Sequence, residues 1–297
     1  MDEYLIYTDS AADIPAHVYD QYDIRIVPMD YILNGKEITF DTKAPNRDQM
    51  CDELFAAQRA GADVHTSQIT PFRYVETWRK DLEEGHDILY LSFSSGLSAT
   101  WDNAVAASRE LADDYPDRKI RVVDTLSATA GLGVLVYASC LNRAQGMSLE
   151  ENAAWLEEHS IQMCHRFTVG DLDYLHKGGR VSAAVALIGG MLNIKPVMVI
   201  DDIGKLQVTS KCRGQNAAWK TLIREYIKER GVPGVPDVVY IGHSSLYEEA
   251  EKLKHLLQEA AGPDTIIETI CETPIIGVHT GPEFFAVCGF GFHRKDD

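Results

Sequence analysis

Repeatedly in its first half, the chain runs through a short apolar stretch, stops at small polar side chains, and then turns to helical spacing. YLIYTDS is one such stretch, DILYLSFSSGLSAT another and IRVVDTLSATAG a third. No other feature constrains the fold as strongly. Short continuous apolar runs alternating with helices are the pattern of βαβ units, whose parallel strands are buried on both faces.

Local signals punctuate the pattern. Asn34-Gly35 in YILNGKEIT predicts a tight hairpin. Gly61 is placed to end the helix of PNRDQMCDELFAAQRAG, and Thr70 before Pro71 caps the next one. Ser148 with Glu151 predicts a capping box. After residue 160 the order is less regular. Two strands are expected around Ile203-Gly204, long amphipathic helices in NAAWKTLIREYIKER and LYEEAEKLKHLLQEA, and strands in DVVYIGH, TIIETI and FFAVCGFGF. The expected fold class is therefore α/β. Residues 1–160 form an N-terminal domain with a mostly parallel sheet flanked by helices, and residues 161–297 form a C-terminal α+β domain.

Charge narrows the function. With 28 basic and 45 acidic residues the net charge is −17, which argues against nucleic-acid binding, since that needs clustered Lys and Arg. The weakly polar stretch VSAAVALIGGMLNI falls short of the ~20 residues a spanning helix needs. MDEYLIYTDS is acidic and carries no secretory pattern, so a soluble cytoplasmic protein is expected. The six cysteines form no CxxC or CxxH pair, which points to free thiols and to no metal site.

The polar strand ends are the candidate site. Asp9-Ser10, Thr66-Ser67-Gln68, Ser94-Ser95 and Asp124-Thr125 with Ser127 would gather at one edge of an open sheet, where ligands bind. Each alone is adequately explained as a helix cap. A dinucleotide fingerprint and a GxxxxGK[ST] loop are absent, and GHSSL at Gly242 misses the nucleophile-elbow pattern at Leu246. No cofactor is expected. One open alternative is a hydrolase using Ser95 with His279, the latter in a turn between Gly277 and Gly281 and oriented by Asp9 or Asp124. From His176 to Arg213 the chain carries six Lys or Arg against two acids, either a solvated basic face or an anion-facing rim.

YTDSAAD, VHTSQ, SSGLSAT, DTLSATAGLG, LHKGGRVS, MLNIKPV, SKCRG and IGVHTGP follow one another in order, and together they resemble the DegV family over essentially the whole chain. The resemblance implies two α/β domains, a long-chain fatty acid buried in a tunnel and its carboxylate held by hydroxyls at the domain boundary. Carried over, Thr66 and Ser95, with Ser94 as the register alternative, would grip the carboxylate, and His279 would approach it from the second domain. Arg180 and Arg213 would face a partner, an ATP-dependent fatty acid kinase related to dihydroxyacetone kinases, which makes an acyl phosphate. The chain itself would be a monomeric carrier and not an enzyme. VSAAVALIGGML, PIIGV and FFAVCGF are candidate tunnel walls. Ala99, where the family commonly has glycine, and Glu283 after GP depart from the pattern.

Overall fold

The first apolar run forms β1 (Tyr4–Asp9), every residue of it buried. In this structure, a computed structural model, residues 4–189 and 193–292 are described, 187–189 by backbone alone. After β1 come α1 (Ala16–Tyr22), β2 (Arg25–Val27), β3 (Met29–Leu33), β4 (Lys36–Phe40), α2 (Arg47–Arg59) and β5 (Val64–Thr66). Then follow α3 (Pro71–Glu83), β6 (Asp87–Ser92), α4 (Thr100–Asp114), β7 (Ile120–Asp124), α5 (Thr129–Ala144) and α6 (Leu149–His159). Strands β2, β1, β6 and β7 lie side by side in that order, all parallel, as the alternating pattern predicts.

The local signals act where the sequence puts them. Asn34 and Gly35 take φ of 50° and 78°, the left-handed pair of a two-residue hairpin between β3 and β4. The Thr70 hydroxyl accepts from Arg73 N at 3.3 Å, and both halves of the Ser148–Glu151 box are made. What the sequence reading lacks is a second small sheet. VHTSQ contributes β5, which pairs antiparallel with β3 and sets Thr66 opposite Tyr31.

The second half contains β8 (Met163–Val169), α7 (Asp173–Lys177), α8 (Ala183–Gly189), β9 (Ile194–Ile200), β10 (Leu206–Arg213) and α9 (Gln215–Glu229). It continues with β11 (Val238–His243), α10 (Tyr247–Ala261), β12 (Ile266–Cys271), α11 (Pro274–Thr280) and β13 (Phe284–Phe290). Its six strands run β10-β9-β8-β13-β11-β12, and only β11 and β12 pair in parallel. The PIIGVHT segment, read as a turn, is helix α11, with Pro274 in its first turn. Nearly uncharged and almost wholly buried, it has no polar face to announce a helix.

The sheets divide near residue 160, but the core does not. One buried cluster runs from Tyr4 to Phe290 through both halves. Helix α5 makes the link: apolar nearly all round, it packs on β1 of the parallel sheet and on β8, β11 and β13 of the mixed one. Helices α9 and α10 cover another buried cluster with Trp219, Leu222 and Leu253. None of the described helices is long and apolar enough to cross a membrane.

Candidate functional site

Where the two halves meet, a cavity of about 480 Å³ opens, within the range of small-molecule sites. Its depth is mostly apolar and its mouth is polar. Phe284, Ala286 and Cys288 project into it at the strand period of two, as do His165 and Phe167 from β8. Ile275 and Ile276 come from α11. Of the expected walls, PIIGV and FFAVCGF thus supply lining residues, while the side chains from 187 to 192 in VSAAVALIGGML lie outside the described residues. Ser67, Gln68 and Ala99 line the cavity yet are exposed, and they mark its entrance.

Three expected site residues gather at this entrance. His279 Nε2 lies 2.8 Å from Thr66 Oγ1, closing the end of β5 on the last turn of α11. Its Nδ1 is buried without a hydrogen-bond partner. The ring packs so closely on Gly178 that a Cβ there would come within 2.3 Å of Nδ1, which accounts for the first glycine of LHKGGRVS. Arg180 extends into the same lining, donating from Nε to the Leu97 carbonyl at 3.3 Å and from Nη1 to the Gly178 carbonyl. It has no acidic partner among the described residues, and no lining residue is acidic. Burial lowers the Arg180 pKa, while burial and then the Arg180 charge push the His279 pKa down to about 3. The imidazole is therefore neutral at physiological pH.

Ser94 and Ser95, expected at the carboxylate, do not line the cavity. The Ser94 hydroxyl is buried and donates to the Gly204 carbonyl at 2.8 Å, so its capacity is spent joining the β6 turn to the β9–β10 turn. Ser95 is exposed, and its amide donates to Asp124 Oδ1 at 3.2 Å. Ser98 is the serine of that turn on the cavity wall, its hydroxyl 2.7 Å from that of Thr100. Arg213 ends β10 on the exposed surface, away from the lining. Arg180, expected to face a partner, lines the cavity. Hydroxyl direction cannot be read from a sequence motif, because neighbouring residues of one turn point to opposite sides.

The hydrolase geometry does not assemble. Ser95 shares no hydrogen bond with His279. Asp9 is fully buried and accepts from the Tyr90 hydroxyl at 2.7 Å and Phe93 N at 3.0 Å, far from orienting an imidazole. Asp124 caps Ser95 and Leu126 amides. Glu283 pairs with Lys195 and does not line the main cavity, and Ala99 stands at its rim. His165, missed in the sequence, accepts from Ala128 N at 3.4 Å and lines the depth; only its alternation with Phe167 hinted at this. No group of three or more potential metal ligands occurs among the described residues.

Comparison with known proteins identifies relatives along the whole chain. The chain is 35% identical over 293 residues to a DegV domain-containing protein of Clostridium perfringens, covering 98% of each. A DegV family protein from Thermus thermophilus, whose structure concerns its fatty acid binding, is 28% identical with a TM-score of 0.80 over 97% of this chain and 99% of that one. A fatty acid binding DegV family protein from Streptococcus agalactiae is 27% identical with a TM-score of 0.81, over 97% and 98%. The sequence model of the DegV family, described as uncharacterised, matches residues 3–290, and the chain belongs to that family.

Proposed function

We propose that this protein binds a long-chain fatty acid in the cavity between its halves and presents it to a partner kinase. One observation carries the reading: a deep apolar chamber opens at a cluster of Thr66, Ser98, His279 and Arg180, where the arginine has no carboxylate of its own. A half-buried guanidinium bonded only to carbonyls lacks a counter-charge, and a ligand bearing one carboxylate on an apolar chain supplies it. Each CH₂ removed from water contributes roughly 0.8 kcal/mol, so a long acyl chain offers a gross ~10 kcal/mol before ordering costs.

In this reading Thr66 and Ser98 donate to the carboxylate, and Arg180 supplies the charge. The neutral His279 donates from Nε2 to Thr66 Oγ1, which leaves the Thr66 proton for the carboxylate. The related proteins of known structure that bind fatty acids support the ligand class. The partner, an ATP-dependent kinase acting on the bound carboxylate, follows from the family resemblance, with exposed Arg213 on the docking face; the chain then acts as a carrier and not as an enzyme. Native mass spectrometry of the purified protein, followed by organic extraction, tests the reading. A mass excess matching a fatty acid supports it. A protein that is empty and stays empty after incubation with fatty acids overturns it.

A further inference from the structure

Ser10, at the polar end of β1, is fully buried and does not line the cavity. Its bonds nevertheless run to both halves of the chain. The hydroxyl accepts from Met29 N at 3.2 Å and donates to the Phe40 carbonyl at 3.2 Å. Met29 and Phe40 are register partners at the open end of the β3–β4 hairpin. The Ser10 carbonyl accepts from Thr273 Oγ1 at 2.7 Å. Thr273 is the N-cap of α11, where a threonine hydroxyl ordinarily accepts from an amide of its own helix. No such bond forms here, and the hydroxyl is committed to the end of β1 instead. Asp13 Oδ1 accepts from Thr273 N at 2.8 Å, so the cap is tied to the same loop twice.

Both ties lead to the mouth of the cavity. Strand β3 starts at Met29 and pairs with β5, whose last residue is Thr66. Helix α11 starts after Thr273 and carries His279 about 9 Å further along its axis, at 1.5 Å per residue. The 2.8 Å contact between His279 Nε2 and Thr66 Oγ1 is therefore made by two arms that leave from one serine. We propose that Ser10 is a positioning residue for the carboxylate site, setting Thr66 through β3 and β5 and His279 through Thr273 and α11.

A site assembled from two halves needs such a common reference. A hydrogen bond weakens steeply outside a narrow range of distance and angle. A small slip of either arm would thus turn the Thr66 proton away from the ligand. Gln58 Nε2 on the Gly277 carbonyl at 2.8 Å, and Phe55 against Gly277, keep α11 on α2. Loss of the Ser10 tie should therefore shift the helix and not detach it. The functional consequence rests on the fatty-acid reading; the geometry of the two arms does not.

The test compares Thr273→Val, Thr273→Ser and Ser10→Ala with the parent chain, each titrated with oleic acid and with methyl oleate. Thr273→Val and Ser10→Ala should weaken binding of the acid roughly three- to tenfold, within the worth of one hydrogen bond to a charged group, and binding of the ester less. Thr273→Ser keeps the hydroxyl and should restore the parent affinity. In a His279→Ala background the same changes should cost nothing further, because the pair they align is already lost. Equal losses with and without His279, or for acid and ester alike, would mark a general loosening of the fold and overturn the role. Ligand-free chain carrying isotope-labelled histidine gives a second readout by NMR. The His279 Nε2 resonance should move in Thr273→Val and return in Thr273→Ser. An unmoved resonance in Thr273→Val overturns the role, whether or not Ser10→Ala folds. A chain that takes up no oleic acid in any form, yet shows the moved resonance, counts against the ligand and leaves the positioning standing.

Discussion

The 2.8 Å contact between His279 Nε2 and Thr66 Oγ1 joins residues 213 positions apart and closes one side of the cavity mouth. It places a neutral ring and a hydroxyl beside the same opening. His279→Ala and Thr66→Val are each expected to weaken fatty-acid binding about tenfold, the worth of one hydrogen bond to a charged group. Because the two share a bond, the double variant should lose less than the sum. Isothermal titration measures this, and losses below twofold in both would remove the pair from the ligand's reach.

Arg180 sets up a sharper comparison. Arg180→Ala should cost roughly 10- to 100-fold in affinity for the acid, and Arg180→Lys less. The methyl ester of the same acid should bind the parent and Arg180→Ala alike, since it offers no charge. If acid and ester were affected equally, the side chain would be packing and not an anchor for charge.

The Ser94 hydroxyl serves the fold. Ser94→Ala is expected to cost about 1 kcal/mol of stability, because the buried Gly204 carbonyl loses its donor, while ligand affinity holds. Gly204→Ala is expected to be worse. Its φ is +76°, a left-handed conformation costing a side chain roughly 1–2 kcal/mol, and the new Cβ would come within 2.1 Å of Ser94 Oγ. Denaturant melts report the first value and fatty-acid titration the second; a Ser94→Ala protein that is stable but fails to bind would return this hydroxyl to the site.

Asp13 predicts a pH dependence. Fully buried, it accepts from Thr273 N at 2.8 Å, and burial pushes its pKa up to about 6 from an ordinary 3.8. The folded state therefore holds a proton that the unfolded chain has released between these values. Its contribution is fully present below pH 3.8 and is lost as pH rises through about 6. The loss is at most about 3 kcal/mol, from roughly two pKa units at 1.36 kcal/mol each. Asp13→Asn should remove this component, so that the difference in stability between parent and variant shifts in favour of the variant as pH goes from 4 to 7. A difference that stays flat over that range would show Asp13 to be an ordinary ionised carboxylate.

Much of the architecture was legible in the residues. The apolar runs YLIY and DILYLS, the Asn34-Gly35 turn, the Thr70 cap and the Ser148–Glu151 box are local devices, whose geometry is determined within a few residues by backbone sterics and hydrogen bonding. The PIIGVHT helix was not legible, because a buried helix shows no amphipathic period, and β5 was not, because three residues paired on one edge leave no pattern.

The family was likewise carried by motifs in order along the chain. Which side chains face the cavity was decided only by tertiary structure. Ser94, Ser95 and Ser98 belong to one short turn, yet the first bonds a carbonyl from the other half, the second faces solvent and the third lines the cavity. Their directions depend on where the Gly204 turn lands, more than a hundred residues later, and on a Gly96 without a Cβ to keep it away. Likewise the His279 ring reaches the cavity beside Arg180 because Gly178 has no Cβ to keep it away. A sequence states the chemistry available to a chain, and long-range packing chooses which atoms share a space.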